Sequence, residues 1–290
     1  MNADHVQARR FAPVEQAYDW RDCALYALAL GFGGDPLDAR ALRYVVEGPA
    51  QRVVPSWCVT LAWPSFWQSE PETGIDWMRI LHGEQHLELH RPMPLQTKVR
   101  ATHRIAGIED KGAGHGALVH FDTEVHSAAS GAHLASLKSV HFLRGDGGCG
   151  ARGEARPGLP PIPADAVPDA CIDYRTPTQA ALLYRLASRD LMPLHADLEI
   201  ARAAGFERPI SHGLNTYGLA CRAILERYAL DAPERLRAMS ARFAQPAYPG
   251  DTIRVELFDA SDGRVRFRAR AVERDVLVLD RGSCRLDDPR

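Results

Sequence analysis

The chain reads as an α+β protein made of two successive units, each a helical stretch followed by an antiparallel sheet. Three observations point there. Apolar and polar residues alternate in long runs that cluster behind helical segments in each half, a helix-then-sheet order and not a βαβ alternation. Glycine and proline concentrate between the halves, at Gly145–Gly150 and Pro157–Pro168, where no core can form. Short motifs also recur in the same order. Leu25-Tyr26 and Ala29 with Pro36-Leu37 echo Leu183-Tyr184 and Ala187 with Pro193-Leu194, and His82-Gly83 echoes His212-Gly213. The expected division is a first unit over residues 1–146, a linker over 147–171 and a second unit over 172–290.

In the first unit, Cys23 to Leu30 is an apolar helix with Asp19 or Asp22 near its N-cap, ended by the glycines of 31–34. Trp57 to Trp63 is strongly apolar between Pro55 and Pro64 and reads as a long buried helix or a strand, with helix preferred. Gln85 to His90, Thr97 to Ile105, Ala117 to His126 and His133 to Phe142 alternate as half-buried strands do. In the second unit, Thr178 to Leu186, Leu198 to Phe206 and Leu214 to Tyr228 are read as helices. Met239 to Ala247, Thr252 to Asp259, Val265 to Val272 and Val276 to Leu286 are read as strands, with a hairpin turn at Asp262-Gly263. Asp38 stands in the first unit where His195 stands in the second, so the catalytic pair described below is expected in the second unit alone.

Composition is that of an ordinary globular chain: 290 residues, 46% hydrophobic, 25% charged, formal net charge −2. That charge carries no footprint for nucleic acid. No apolar run reaches membrane-spanning length and the first residues hold no apolar signal core. Six cysteines without CxxC spacing read as free thiols in a reducing compartment. The expected location is cytoplasmic, with no metal site, no nucleic-acid partner and no membrane partner.

The chemistry concentrates in Tyr184 to Gly218. Asp190 precedes His195 by five residues, and Pro193 between them breaks any helix. A bent apolar loop would carry a carboxylate and an imidazole toward one point. Ser211-His212-Gly213 then opens an apolar helix whose first N–H groups have no intrahelical acceptor, and Gly213 lets a ligand approach them closely. Carboxylate, imidazole and backbone donors together can activate a water and polarise a carbonyl. Spacing alone leaves a second reading open, in which Asp190 caps a helix and His195 lies on the surface.

Asp190-x-x-Pro193-Leu194-His195-x-Asp197, followed by Ala204-Gly205-Phe206-x-Arg208-Pro209-Ile210-x-His212-Gly213-Leu214-x-Thr216-Tyr217-Gly218, resembles the hydratase 2 signature of MaoC-like (R)-specific enoyl-CoA hydratases. The likeness extends to Leu25-Tyr26-Ala27-Leu28, Tyr44–Gly48, Leu81–Leu89, Asp110-Lys111-Gly112 and Arg242–Gly250. It implies a double hot-dog fold, in which each curved antiparallel sheet wraps a long helix. It implies reversible hydration of a trans-2-enoyl-CoA to a (3R)-3-hydroxyacyl-CoA, with Asp190 and His195 as the catalytic pair and Gly213 N–H on the thioester oxygen. Coenzyme A enters as part of the acyl-CoA substrate and no separate cofactor is implied.

His82, Gly83, Lys111 and Phe243 match positions that contact acyl-CoA in the family. His82 also reads as a structural histidine, Lys111 as a solvated turn lysine and Phe243 as core. Glu47 matches a family glutamate, and His212 is read as structural. The chain departs from the usual Ser/Thr-Gly-Asp-x-Asn-Pro in Arg189 and Met192, and Asn215 replaces a more usual cysteine. Arg189, if close, would favour an ionised Asp190, and Met192 cannot supply the hydrogen bonds of an asparagine amide. These departures keep two other readings open: a hydratase for a branched, dicarboxylic or steroid-side-chain acyl-CoA, and a non-catalytic acyl-CoA-binding hot-dog protein. Exposed sheet edges in this fold lead to a homodimer as the expected assembly.

Overall fold

A computed structural model describes residues 1–259 and 263–288. In chain order the first half contains α1 (Ala3–Ala8), β1 (Val14–Tyr18), α2 (Trp20–Ala29), α3 (Ala39–Leu42), β2 (Ile80–Leu89), β3 (Thr97–Asp110), β4 (Ala117–Ser127) and β5 (His133–Leu143). The short β6 (Arg152–Gly153) follows. The second half contains β7 (Ala170–Arg175), α4 (Ala180–Ser188), α5 (Leu198–Ala203), α6 (Gly213–Ile224), β8 (Leu236–Phe243), β9 (Thr252–Asp259), β10 (Arg264–Ala271) and β11 (Val276–Leu286). The expected turn at Asp262-Gly263 lies outside the described residues.

The strands form one antiparallel sheet in the order β1-β3-β4-β5-β2-β8-β11-β10-β9-β7, with β6 beside β3. The halves join where β2 pairs β8, in register from Glu84 opposite Arg242 to Glu88 opposite Ala238. This is the double hot-dog arrangement. Alternation sets which face each strand buries: β3 runs exposed and buried by turns from Lys98 to Ile105 before both faces become covered.

Helix α2 starts where the acidic pair of the sequence allows it. Asp19 accepts from Arg21 N–H, and Asp22 reaches back to accept from Asp19 N–H, a reciprocal cap that uses both aspartates. Helix α6 lies in the sheet's concavity, and Tyr217, Ala220, Cys221, Ala223 and Ile224 are fully buried. Burial of Ile224 alone is worth about 1.5–3 kcal/mol relative to leaving it exposed. Gly218 keeps α6 close to α2: a Cβ there would lie 2.5 Å from Leu30 Cδ2 and 3.0 Å from the Tyr26 hydroxyl. Asn215 fastens the same pair of helices by donating from Nδ2 to Ala29 O at 3.3 Å.

The first half departs from the expected duplicate. Its apolar run becomes a six-residue 3₁₀ helix, Pro55–Thr60, entirely buried, where a longer helix was expected. Pro55 and Pro64 bracket too few residues for a stable α-helix, and tight 3₁₀ turns are the usual form of such short pieces. His82-Gly83 is no counterpart of His212-Gly213: the former pair lies in β2 and the latter opens α6. Asp38 caps α3 by accepting from Arg40 and Ala41 N–H, as Asp197 caps α5. Met239–Ala247 ends as a strand at Phe243, four residues early, because Pro246 cannot donate to a ladder.

The Gly/Pro-rich segment runs across the outer sheet face and is held there by arginines. Arg281 donates to Leu159 O, Arg266 to Pro160 and Pro161 O, and Arg268 to Pro163 and Ala166 O. At its start, Glu154 N–H donates to Ala106 O at 3.0 Å, and a Cβ on Gly107 would lie 2.3 Å from Glu154 O. Gly107→Ala should therefore push the segment off β3 and destabilise the protein by about 1–3 kcal/mol. A lowered urea midpoint with faster proteolysis between residues 154 and 168 is the expected result; an unchanged midpoint would refute the contact.

Candidate active site

Helix α4 ends at Ser188, and Arg189 follows in the left-handed region at φ 60°, ψ 15°. Glycine takes this conformation without a Cβ penalty, which explains why a glycine is usual there. The Arg189 guanidinium turns away from the loop and pairs with Asp22 of α2 at 3.0 Å. The condition under which Arg189 would favour an ionised Asp190, that its guanidinium lie close, is not met by this pairing. Asp190 Oδ1 accepts from Met192 N–H at 3.0 Å, so the Met192 backbone, not its side chain, braces the carboxylate. The Met192 side chain packs with Leu194, Ala201 and Ile210 in a small apolar cluster.

Pro193–His195 form a 3₁₀ turn that swings the imidazole back toward Asp190. His195 Nδ1 lies 2.9 Å from Ile210 O. A carbonyl only accepts, so Nδ1 carries the hydrogen and Nε2 is left with a bare lone pair. Burial holds the His195 pKa below its ordinary value, opposed by the Asp190 carboxylate and the Ile210 hydrogen bond. The ring is therefore neutral at physiological pH and its Nε2 is a base.

The structure adds His212, which the sequence reading left as structural. Its ring stacks on that of His195 with centroids 3.7 Å apart and planes 27° from parallel. Nε2 donates to Asp190 O at 3.3 Å and lies 3.9 Å from the Asp190 carboxylate. The side-chain ligand atoms of Asp190, His195 and His212 all fall within 4.8 Å of one another. These residue types can bind a divalent cation. Near-parallel rings, however, send their in-plane lone pairs side by side, while a metal needs them to converge about 2 Å away. The geometry suits a shared water better than an ion.

All seven predicted site residues line one cavity of about 1430 Å³: Asp190, His195, Gly213, His82, Gly83, Lys111 and Phe243. Gly213 is the first residue of α6, and its predecessor His212 makes no side-chain cap. A Cβ on Gly213 would lie 3.0 Å from the Phe243 ring, which also packs on His82 at 4.7 Å. These three residues form one wall. Gly83 is the bulged residue of β2, between His82 and Glu84, and lies against Val140 O, 3.0 Å from where its Cβ would be. Lys111 stands at the cavity rim, ion-paired with Glu109 and partly exposed. Glu47 is exposed and is not part of the lining. Trp63, Phe66 and Trp77 complete an aromatic side of the cavity that no periodic pattern announced.

Three histidines of the cavity lining stay neutral. His82 is pushed down to about 3, by burial and then by His141, and its Nε2 donates to Glu84 O. His141 is pushed down to about 4 by burial. His212 is pushed down to about 3, by burial and then by the neighbouring His195. Above about pH 6.5 such a ring is neutral in both the folded and the unfolded chain. Below that, the unfolded chain takes up the proton and the folded chain does not. Stability is therefore complete above about pH 6.5 and lost as pH falls toward the folded values. The expected loss is about 1.4 kcal/mol per pH unit for each such ring. It should appear as a falling urea midpoint between about pH 7 and pH 5, with a shallower fall in His141→Gln. A midpoint independent of pH across that window would contradict the buried neutral rings.

The family model described as MFE-2 hydratase 2 N-terminal domain matches residues 16–145, and the one described as MaoC like domain matches residues 162–281. A probable enoyl-CoA hydratase 2 of Dictyostelium discoideum is 34% identical, over 94% of this chain and 92% of its own. The 3-hydroxyacyl-thioester dehydratase Y of Mycobacterium tuberculosis is 37% identical, over 92% of each chain. Among solved structures, a MaoC-like dehydratase from Phytophthora capsici superimposes with a TM-score of 0.85 at 28% identity, covering 99% of both chains. A Mycobacterium tuberculosis protein described as a double hotdog fold shares the fold alone, at a TM-score of 0.51 and 17% identity. The chain belongs to the MaoC-like hydratase 2 family.

Proposed function

We propose that the protein reversibly hydrates a trans-2-enoyl-CoA to the (3R)-3-hydroxyacyl-CoA. The observation that carries this reading is convergence. Asp190, the neutral Nε2 of His195 and the uncapped N-terminus of α6 at Gly213 meet in one cavity. A water held between the carboxylate and Nε2 would stand against the β-carbon of the enoyl group. Its oxygen bonds the β-carbon, and the proton it gives up reaches the α-carbon through Asp190. Negative charge passes meanwhile onto the thioester oxygen, where the Gly213 N–H donates. One such donor is worth about 3 kcal/mol of barrier. Atoms balance with water alone as co-substrate, and the return path is dehydration.

The rest of the cavity fits an acyl-CoA. Phe243 and His82 flank the reacting carbons, Trp63, Phe66 and Trp77 offer apolar surface to the acyl chain, and Lys111 offers a cation to a phosphate.

The test mixes the purified protein with crotonyl-CoA and with longer and branched trans-2-enoyl-CoA thioesters. Loss of the enoyl-thioester absorbance follows the reaction, and stereospecific dehydrogenases assign the product. An (R)-product is expected, with a rate lower by about 10³-fold in Asp190→Asn, an unchanged thermal midpoint and retained acyl-CoA binding. Undiminished turnover in that variant would reject the assigned pair. Tight binding without hydration of any thioester would favour a non-catalytic binding protein instead.

A further inference from the structure

Resting on the hydration reading above, we propose that His212 is a positioning residue of the site, locking the Asp190 loop against the His195 ring. Three observations set it apart from an ordinary buried histidine. It precedes α6 where Ser, Thr, Asp or Asn would normally cap the helix, yet its ring accepts nothing from the first-turn N–H groups. Its ring is turned the other way, and is only 2% exposed. Nδ1 is buried without a hydrogen-bond partner among the described residues, an arrangement that packing alone would avoid.

What the ring gains is contact with two other rings and a hydrogen bond at one edge. Tyr184 of α4, fully buried, packs on it with centroids 5.2 Å apart. His195 stacks on it at 3.7 Å. At its edge, Nε2 donates to the carbonyl of Asp190 itself. Five contacts fasten the loop: Asp190 N–H on Ser188 Oγ, Arg185 on Leu191 O, Met192 N–H on the Asp190 carboxylate, Arg189 on Asp22, and His212 on the Asp190 carbonyl. Only the last also fixes the partner imidazole. It therefore sets the separation between the two groups that share the water. Asp190 is half exposed on a loop, where a side chain drifts unless held.

Two substitutions divide the ring from its donor. His212→Phe keeps a flat ring between Tyr184 and His195 and removes the donor, while His212→Gln restores an amide N–H near the position of Nε2. With crotonyl-CoA, His212→Phe should lower kcat by about a hundredfold, the scale set by a ~1 Å misplacement, while KM stays within about twofold. His212→Gln should recover kcat to within about tenfold of the starting protein. Amide hydrogen exchange supplies a readout independent of turnover. Exchange across residues 189–192 should accelerate in His212→Phe, return toward the starting rate in His212→Gln, and leave α6 unchanged.

Unaltered exchange at 189–192 in His212→Phe, or faster exchange spread equally through α6 and the loop in both variants, overturns the proposal. If His212→Phe does not fold, His212→Asn, too short to reach the carbonyl, takes its place in the same comparison. A starting protein inert toward crotonyl-CoA and toward longer and branched trans-2-enoyl-CoA thioesters would reject the hydration reading. The exchange pattern would still decide the role of His212.

Discussion

The ladder between β2 and β8 is the interaction on which everything else in the molecule depends. It joins two sheets that would otherwise each present a raw edge of unpaired backbone groups. It also does chemical work by placement. His82 comes from the start of β2 and Phe243 from the end of β8, and the antiparallel register brings these ends together at the mouth of α6. One half supplies Asp190, His195 and Gly213 and the other much of the wall, so neither half holds a complete cavity.

Around that seam the molecule keeps its imidazoles uncharged. His82, His141 and His212 are each held several units below an ordinary histidine by burial, the first and last further by a neighbouring ring. Uncharged rings can stack, line an apolar cavity and hand over a lone pair, none of which an imidazolium does well. The cost is that a polar atom such as His212 Nδ1 is buried without a hydrogen-bond partner among the described residues. Sites that hold water and a substrate carbonyl commonly carry such unpaired groups.

Much of this was legible along the chain. Strand alternation in β3, β4, β5 and β9 gave their faces directly, and the acidic pair Asp19 and Asp22 marked the start of α2. The reactive loop was readable because Asp190, His195 and Gly213 lie within one linear stretch. What escaped depends on contacts between residues distant in sequence. Arg189 lies beside Asp190 in the chain but pairs with Asp22, on the other half. Trp57–Trp63 had no period to distinguish a 3₁₀ turn from a helix. His212 sat inside the recognised block. Its proximity to that block was the available signal, but a histidine before a glycine at a helix start reads equally as a terminus. The false pairing of His82-Gly83 with His212-Gly213 shows how a two-residue echo misleads when one copy lies in a strand and the other opens a helix.

Arg189 and Asp22 carry a consequence for the molecule's symmetry. Their ion pair ties the reactive loop of one unit to the first turn of α2 in the other, and α2 and α4 hold matching places in the two units. An assembly of two identical chains would have to make this contact twice, the cation of each copy meeting the anion of the other, because every position occurs in both copies. A tandem chain is free of that restriction. Joined by one polypeptide, the two halves can diverge into donor and acceptor, one carrying Asp190 and His195 and the other supplying much of the cavity wall.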